Sequence, residues 1–174
     1  MNRKFGVVFW IEGFSGSGKT SISKNIQKDI SKLFGPTLVL SGDILRKFFD
    51  KKGYSKKDRI KNSYKFSEMI KFLTEQKLNV VYSAVCLNNA ARNIYKKNIK
   101  NFFQIYLKSD IKKIIKLRKK NTYKKKKNIL GIHIRPEYPT KPDIVIENNF
   151  DKPLKKISNE LVKKIKKKLK NKFL

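Results

Sequence analysis

Cysteine and histidine are nearly absent from this 174-residue chain: Cys86 and His133 occur once each. A single cysteine cannot form an internal disulfide, and a lone thiol suits a reducing cytoplasm. Cys86 follows an apolar run and is expected to pack as a small hydrophobe rather than act as a nucleophile. A single histidine cannot build a metal cluster, and in a loop it is expected to be solvated. No apolar stretch is long enough to span a membrane. Phe5–Ile11 is too short for a secretory signal and leads directly into a glycine-rich loop. Acidic residues are scarce, 13 against 44 lysines and arginines, for a formal charge of +31. Arginine is scarce too: only Arg3, Arg46, Arg59, Arg92, Arg118 and Arg135, leaving 38 lysines. Nucleic-acid readers favour arginine for bidentate contacts. With no aromatic–arginine surface either, a nucleic-acid-binding ATPase is the weaker reading. Abundant Ile and Asn beside Lys point to biased coding, although positive charge still attracts an anionic nucleotide.

What the chain does contain is a phosphate loop. Residues 13–20 read Gly13-Phe14-Ser15-Gly16-Ser17-Gly18-Lys19-Thr20, the G-x-x-x-x-G-K-T pattern. Gly13, Gly16 and Gly18 permit backbone conformations that a side chain would block. The loop can then turn its N–H groups onto a phosphate. Lys19 can reach the β- and γ-phosphates of ATP, and the Thr20 hydroxyl can bind Mg²⁺. Both flanks fit. Phe5–Ile11 suits a buried parallel strand. Ile22, Ile26, Ile30 and Leu33 recur at helical spacing, so the positive end of that helix faces the phosphates.

Gly35-Pro36 stops the helix. Thr37–Leu40 reads as a second strand, and Asp43 just beyond it lies at a strand's carboxyl end, where parallel sheets place ligands. A short helix is expected over Ile44–Phe49. Ser55 caps a long one over Lys56–Gln76, with Ile60, Tyr64, Met69, Phe72 and Leu73 on or near one face. Asn79–Ala84, Phe102–Leu107 and Asp143–Ile146 are further strands, and Asn88–Asn98 is a helix between the first two. Asp110 caps another helix through Leu117. Residues 118–128 are almost all polar and basic and read as a lid over triphosphate, since cations are needed where phosphate charge develops. With the loop that follows, the lid extends over about 118–142. A last helix opens at Asp151 or Pro153, with Leu154, Ile157, Leu161, Ile165 and Leu169 as its docking stripe. Five strands alternating with helices predict a three-layer α/β domain with a parallel sheet, one domain over residues 1–174.

The chain resembles the adenylyl-sulfate kinase family over nearly its whole length. The matching stretches are GFSGSGKT (13–20), SGD-x-x-R (41–46), GYS-x-x-DR-x-x-N (53–62), YKK (123–125) and GI…P-x-x-P-D-I-V-I (131–146). The resemblance implies transfer of the γ-phosphoryl of ATP to the 3′-hydroxyl of a nucleotide whose 5′-phosphate carries a second anionic group. It implies Asp43 as general base or orienter of that hydroxyl. A helix-capping role is the plainer alternative for Asp43. Arg46, Arg59 and Asn62 match residues that hold the acceptor's phosphate end. Tyr54 matches an aromatic that stacks on the acceptor base, and Lys124 or Lys125 matches a cation of the lid. Family members are often dimers, so a homodimer is also an expectation.

The departures concern the acceptor. The family's second stacking aromatic falls at Ile129, and its S-P-Y-R reads Cys86-Leu87-Asn88-Asn89 here. A pyrimidine needs a smaller clamp, and Asn88 or Asn89 could accept a hydrogen bond from a terminal amide nitrogen. The resemblance then extends to the branch that phosphorylates cytidine diphosphoramidate in the decoration of bacterial capsular polysaccharide. That acceptor is preferred over adenylyl sulfate.

Overall fold

A computed structural model of the protein describes residues 4–118 and 127–173. Five parallel strands form one sheet: β1 Val8–Glu12, β2 Thr37–Ser41, β3 Asn79–Ala84, β4 Phe102–Lys108 and β5 Ile144–Glu147, in the order β2-β3-β1-β4-β5. Among the described residues there are six helices: α1 Lys19–Phe34, α2 Gly42–Phe48, α3 Lys56–Glu75, α4 Asn89–Asn98, α5 Ile111–Arg118 and α6 Leu154–Phe173.

Alternation along β1 divides the core. Val7, Phe9 and Ile11 face one side, where Ile22, Ile26 and Ile30 of α1 and Ile157, Leu161, Ile165 and Leu169 of α6 cover the sheet. Val8 and Trp10 face the other, against Leu45 of α2, Phe66 and Ile70 of α3, and Ala91 and Tyr95 of α4. Helices on both faces explain why the strands read as continuous apolar runs rather than alternating ones. A third cluster, Phe14, Leu87, Tyr106, Ile114 and Leu130, seats the start of the 127–142 segment beside the phosphate loop.

Local signals set the helix starts. Ser55 and Asp58 form a reciprocal capping box at α3, with Ser55 Oγ accepting from Asp58 N–H at 3.1 Å and Asp58 Oδ2 accepting from Ser55 N–H at 3.0 Å. Asn88 caps α4 by accepting from Ala91 N–H at 3.0 Å, and Asp110 accepts from Lys112 N–H at 2.8 Å at the start of α5. The expected face of α3 is corrected. Tyr64 and Phe72 are 58% and 59% exposed. The buried stripe is Arg59, Asn62, Ser63, Phe66, Ser67, Ile70 and Thr74. That stripe is largely polar because its N-terminal half borders a cleft, so apolar spacing could not mark it.

Candidate active site

The site lies at the carboxyl ends of β1, β2 and β3, where the chain leaves the sheet into loops and helix N-termini. β1 ends at Glu12 and runs into the phosphate loop. Gly18 caps α1 at φ +96°, a left-handed conformation that glycine alone adopts freely. At Gly13 the restriction is space: a Cβ there would lie 2.6 Å from the Leu107 carbonyl oxygen. α1 carries no acidic residue in its first turn, so nothing on the helix offsets its positive end. Lys19 is buried and folds back over the loop, its Nζ donating to Phe14 O at 2.5 Å. Thr20 is exposed beside it.

β2 delivers the second wall. Ser41 Oγ accepts from Ile44 N–H at 3.2 Å and thereby caps α2. Capping thus falls to Ser41 rather than Asp43. Asp43 is exposed in the first turn of α2 and, among the described residues, makes no side-chain hydrogen bond.

Arg46 extends from the same helix. Its guanidinium stacks 4.3 Å from the centroid of the Tyr54 ring, a cation–π contact, and donates to Gly53 O at 2.5 Å. Arg59, buried on α3, donates from Nε to Tyr54 O at 3.0 Å, from Nη1 to Val85 O at 2.8 Å and from Nη2 to Asn128 O at 3.3 Å. One guanidinium therefore ties together three separate segments of the cleft wall. Burial lowers its pKa, but an arginine stays charged.

These groups enclose a cleft of about 360 Å³. Ser15, Gly16, Gly18, Lys19 and Thr20 line one end, and Asp43, Arg46, Tyr54, Arg59, Asn62 and Ile129 line the rest. Gly13 and Ser17 of the loop stand behind that surface. Tyr82 and Tyr95 lie at the back with their hydroxyls 3.1 Å apart, and burial raises both pKa values. Ile129 is 6% exposed and held in a turn in which its N–H donates to His133 Nδ1 at 3.2 Å. His133, exposed as expected, thus also fastens that turn. Lys124 and Lys125 lie outside the described residues. Cys86 is buried against the cleft, and burial pushes its thiol up to about 11, in keeping with a packing role.

Two expectations do not survive. Asn88 and Asn89 do not line the cleft: Asn88 Oδ1 caps α4, and Asn89 Oδ1 accepts from Arg92 Nη1. Neither oxygen is presented to an acceptor.

Sequence reasoning also missed a buried polar set. Glu12, wholly buried, accepts from Arg92 Nε at 3.1 Å and from Gln104 Nε2. Burial raises its pKa and Arg92 opposes that shift. Arg92 also donates to Glu137 O, while the Glu137 carboxylate accepts from Lys56 Nζ at 2.6 Å and Asn89 N–H at 2.7 Å. The one available signal was an acidic residue closing an otherwise apolar strand. Asn148, directly after β5, was missed likewise. Its signal was only its place at a strand's carboxyl end.

A glycine-rich phosphate cradle at a helix N-terminus, facing a carboxylate and two guanidiniums across the ends of a parallel sheet, defines a P-loop kinase. The family profile described as Adenylylsulphate kinase matches residues 5–147. The chain is 27% identical to the cytidine diphosphoramidate kinase of Campylobacter jejuni over 163 residues, 91% of this chain and 95% of that one. It is 30% identical to an adenylyl-sulfate kinase of Clostridium acetobutylicum over 166 residues, 91% of this chain and 83% of the relative. The fold matches the Mycobacterium tuberculosis APS kinase in complex with AMPPNP and APS at a TM-score of 0.81, with 21% identity over 94% of this chain and 99% of that one. The chain belongs to the adenylyl-sulfate kinase family, whose members transfer phosphate from ATP.

Proposed function

We propose that residues 1–174 act as one kinase domain that moves the γ-phosphoryl of ATP to the 3′-hydroxyl of cytidine diphosphoramidate. The carrying observation is the cleft itself, which joins the phosphate cradle and Asp43 to an acceptor wall where Tyr54 stands at the stacking position and Ile129 where the family has a second stacking aromatic, with Phe66, Tyr82 and Tyr95 also lining the cleft. An aromatic with an aliphatic residue makes a smaller clamp than two aromatics and suits a pyrimidine. The similarity to a kinase named for that acceptor supports the same reading.

In this reading, amides of the loop residues that line the cleft, Ser15, Gly16 and Gly18, the Lys19 ammonium and the positive end of α1 neutralise the nucleotide phosphates. Asp43, exposed and free of capping duty, accepts the 3′-hydroxyl proton or orients that hydroxyl toward the γ-phosphorus. Tyr54 holds the Arg46 guanidinium toward the acceptor's phosphate end, with Asn62 beside it. Catalysis is then chiefly positioning and electrostatics. The Thr20 hydroxyl and Asp43 carboxylate are hard oxygen donors on one cleft. Among the described residues no group of three or more His, Cys, Asp or Glu could hold a metal by itself. That donor set fits Mg²⁺, which takes few protein ligands and completes its shell with water and phosphate oxygens. Mg²⁺ bound there would offset charge on the β- and γ-phosphates. Such a kinase serves phosphoramidate decoration of capsular polysaccharide. Among the described residues no helix is long and apolar enough to cross a membrane.

The test is ATP consumption by the purified protein with Mg²⁺, offering cytidine diphosphoramidate and adenylyl sulfate in parallel at equal concentration. A higher kcat/KM for the cytidine compound is expected. A preference for adenylyl sulfate would overturn the acceptor and place the enzyme in sulfate assimilation.

A further inference from the structure

The Ser17–Gly18 peptide is held from outside the phosphate loop. Asn148, the first residue after β5, is 1% exposed. Its Nδ2 donates to the Ser17 carbonyl at 2.8 Å, a contact spanning 131 residues of chain. Its Oδ1 accepts from Phe150 N–H at 3.1 Å, and its backbone N–H donates to Lys108 O at 2.9 Å at the end of β4. The side chain is therefore fixed at both ends and anchored to the sheet.

The consequence follows from peptide geometry. A trans peptide is planar, with its C=O and N–H pointing in opposite directions. A Ser17 carbonyl tied to Asn148 aims the Gly18 N–H away from Asn148. That is the cleft side, because Gly18 lines the cleft and Asn148 does not. The flanking peptides are held locally, by Ser17 N–H to Phe14 O at 3.2 Å and Ile22 N–H to Gly18 O at 2.9 Å, but among the described residues no other hydrogen bond reaches the Ser17 carbonyl. Gly18 sits at φ +96°, and glycine populates either sign of φ about equally, so the residue by itself does not fix which way this peptide faces. Ser17 Oγ is buried without a hydrogen-bond partner among the described residues, so that hydroxyl does not hold the peptide either. A Cβ built on Gly18 would also lie 3.2 Å from Asn148 Nδ2 and 3.1 Å from Leu154 Cδ2. The β5–α6 turn therefore packs directly against the bond whose direction matters.

We propose that Asn148 is a positioning residue for phosphoryl transfer: it orients the Ser17–Gly18 peptide so that the Gly18 N–H is presented to the nucleotide phosphates. This rests on reading residues 13–20 as the phosphate cradle.

Asn148→Asp is the sharp variant. It preserves shape and the bond from Phe150 N–H, but puts an acceptor oxygen against the Ser17 carbonyl. Asn148→Ala removes the donor without adding charge and serves where the aspartate variant does not fold. Mg·ADP binding by calorimetry and steady-state kinetics with ATP and cytidine diphosphoramidate are measured on the full chain. The expected result in either variant is about tenfold weaker ADP binding and a matching rise in the KM for ATP, the scale of one lost hydrogen bond with its partner left unsatisfied. The KM for the acceptor stays within about twofold, because that wall does not touch Asn148. Unchanged ADP affinity in folded variants overturns the proposal, and so does a parallel rise in both KM values, which would mean general loosening. Lys19→Ala separates the two readings. If it is inactive while the Asn148 variants bind ADP normally, only the positioning role fails. If it is fully active, the cradle reading itself fails.

Discussion

Asp43 is the carboxylate that the proposed mechanism sets at the acceptor hydroxyl. Ser41 caps α2, so Asp43 is not needed for the helix, and its exposed position makes it dispensable for packing. Asp43→Ala is therefore expected to lower kcat by roughly 10²–10⁴, the range for a positioned acid–base group, with a melting temperature close to wild type. A fully active variant would remove Asp43 from the mechanism. Arg59 presents the opposite case. Its three bonds to Tyr54, Val85 and Asn128 carbonyls use the planar fork of a guanidinium, which a lysine cannot reproduce. Arg59→Lys keeps the charge but leaves carbonyls unpaired, and should cost about 2 kcal/mol in urea unfolding. A variant as stable as wild type would show that the guanidinium serves the acceptor and not the wall.

At the scale of elements, the exit of β1 is clamped by charge. Glu12 is wholly buried and Arg92 nearly so, and their ion pair joins the strand before the phosphate loop to α4. Glu12→Gln would leave the guanidinium buried without a counter-charge, and is expected to cost about 3–5 kcal/mol. Adding Arg92→Met should recover part of that loss, since the two residues share one interaction. A purely additive double mutant would contradict the pairing. Glu137 links the 127–142 segment to α3 and α4 from the outside. The hydrogen bond from Lys56 holds its carboxyl below the ordinary value of 4.5. Its contribution to stability is thus present above that ordinary value and lost as pH falls through the lower folded one. Lys56→Met should flatten this acid limb in unfolding measured against pH, and an unaltered limb would show that Lys56 does not set it.

For the whole molecule, the charge of +31 is carried mostly by lysine. Such a surface binds polyanions weakly and without selection. Oligonucleotide binding should therefore fall steeply between about 50 and 200 mM salt, and should not stimulate ATP hydrolysis. Stimulation by nucleic acid would revive a nucleic-acid-dependent ATPase.

The sequence by itself determined the order of strands and helices, the phosphate loop, the caps at Ser55 and Asp110, the α6 stripe and the family. All of these are contiguous or periodic patterns, written within a few residues of one another. Only the tertiary structure decided that Ser41 rather than Asp43 caps α2, and that Asn88 and Asn89 face away from the cleft. It also decided that α3 buries a mostly polar face. The bonds from Asn148 to Ser17 and from Arg92 to Glu12 span 131 and 80 residues. Neither has a local period, because sheet order, not sequence spacing, brings those partners together.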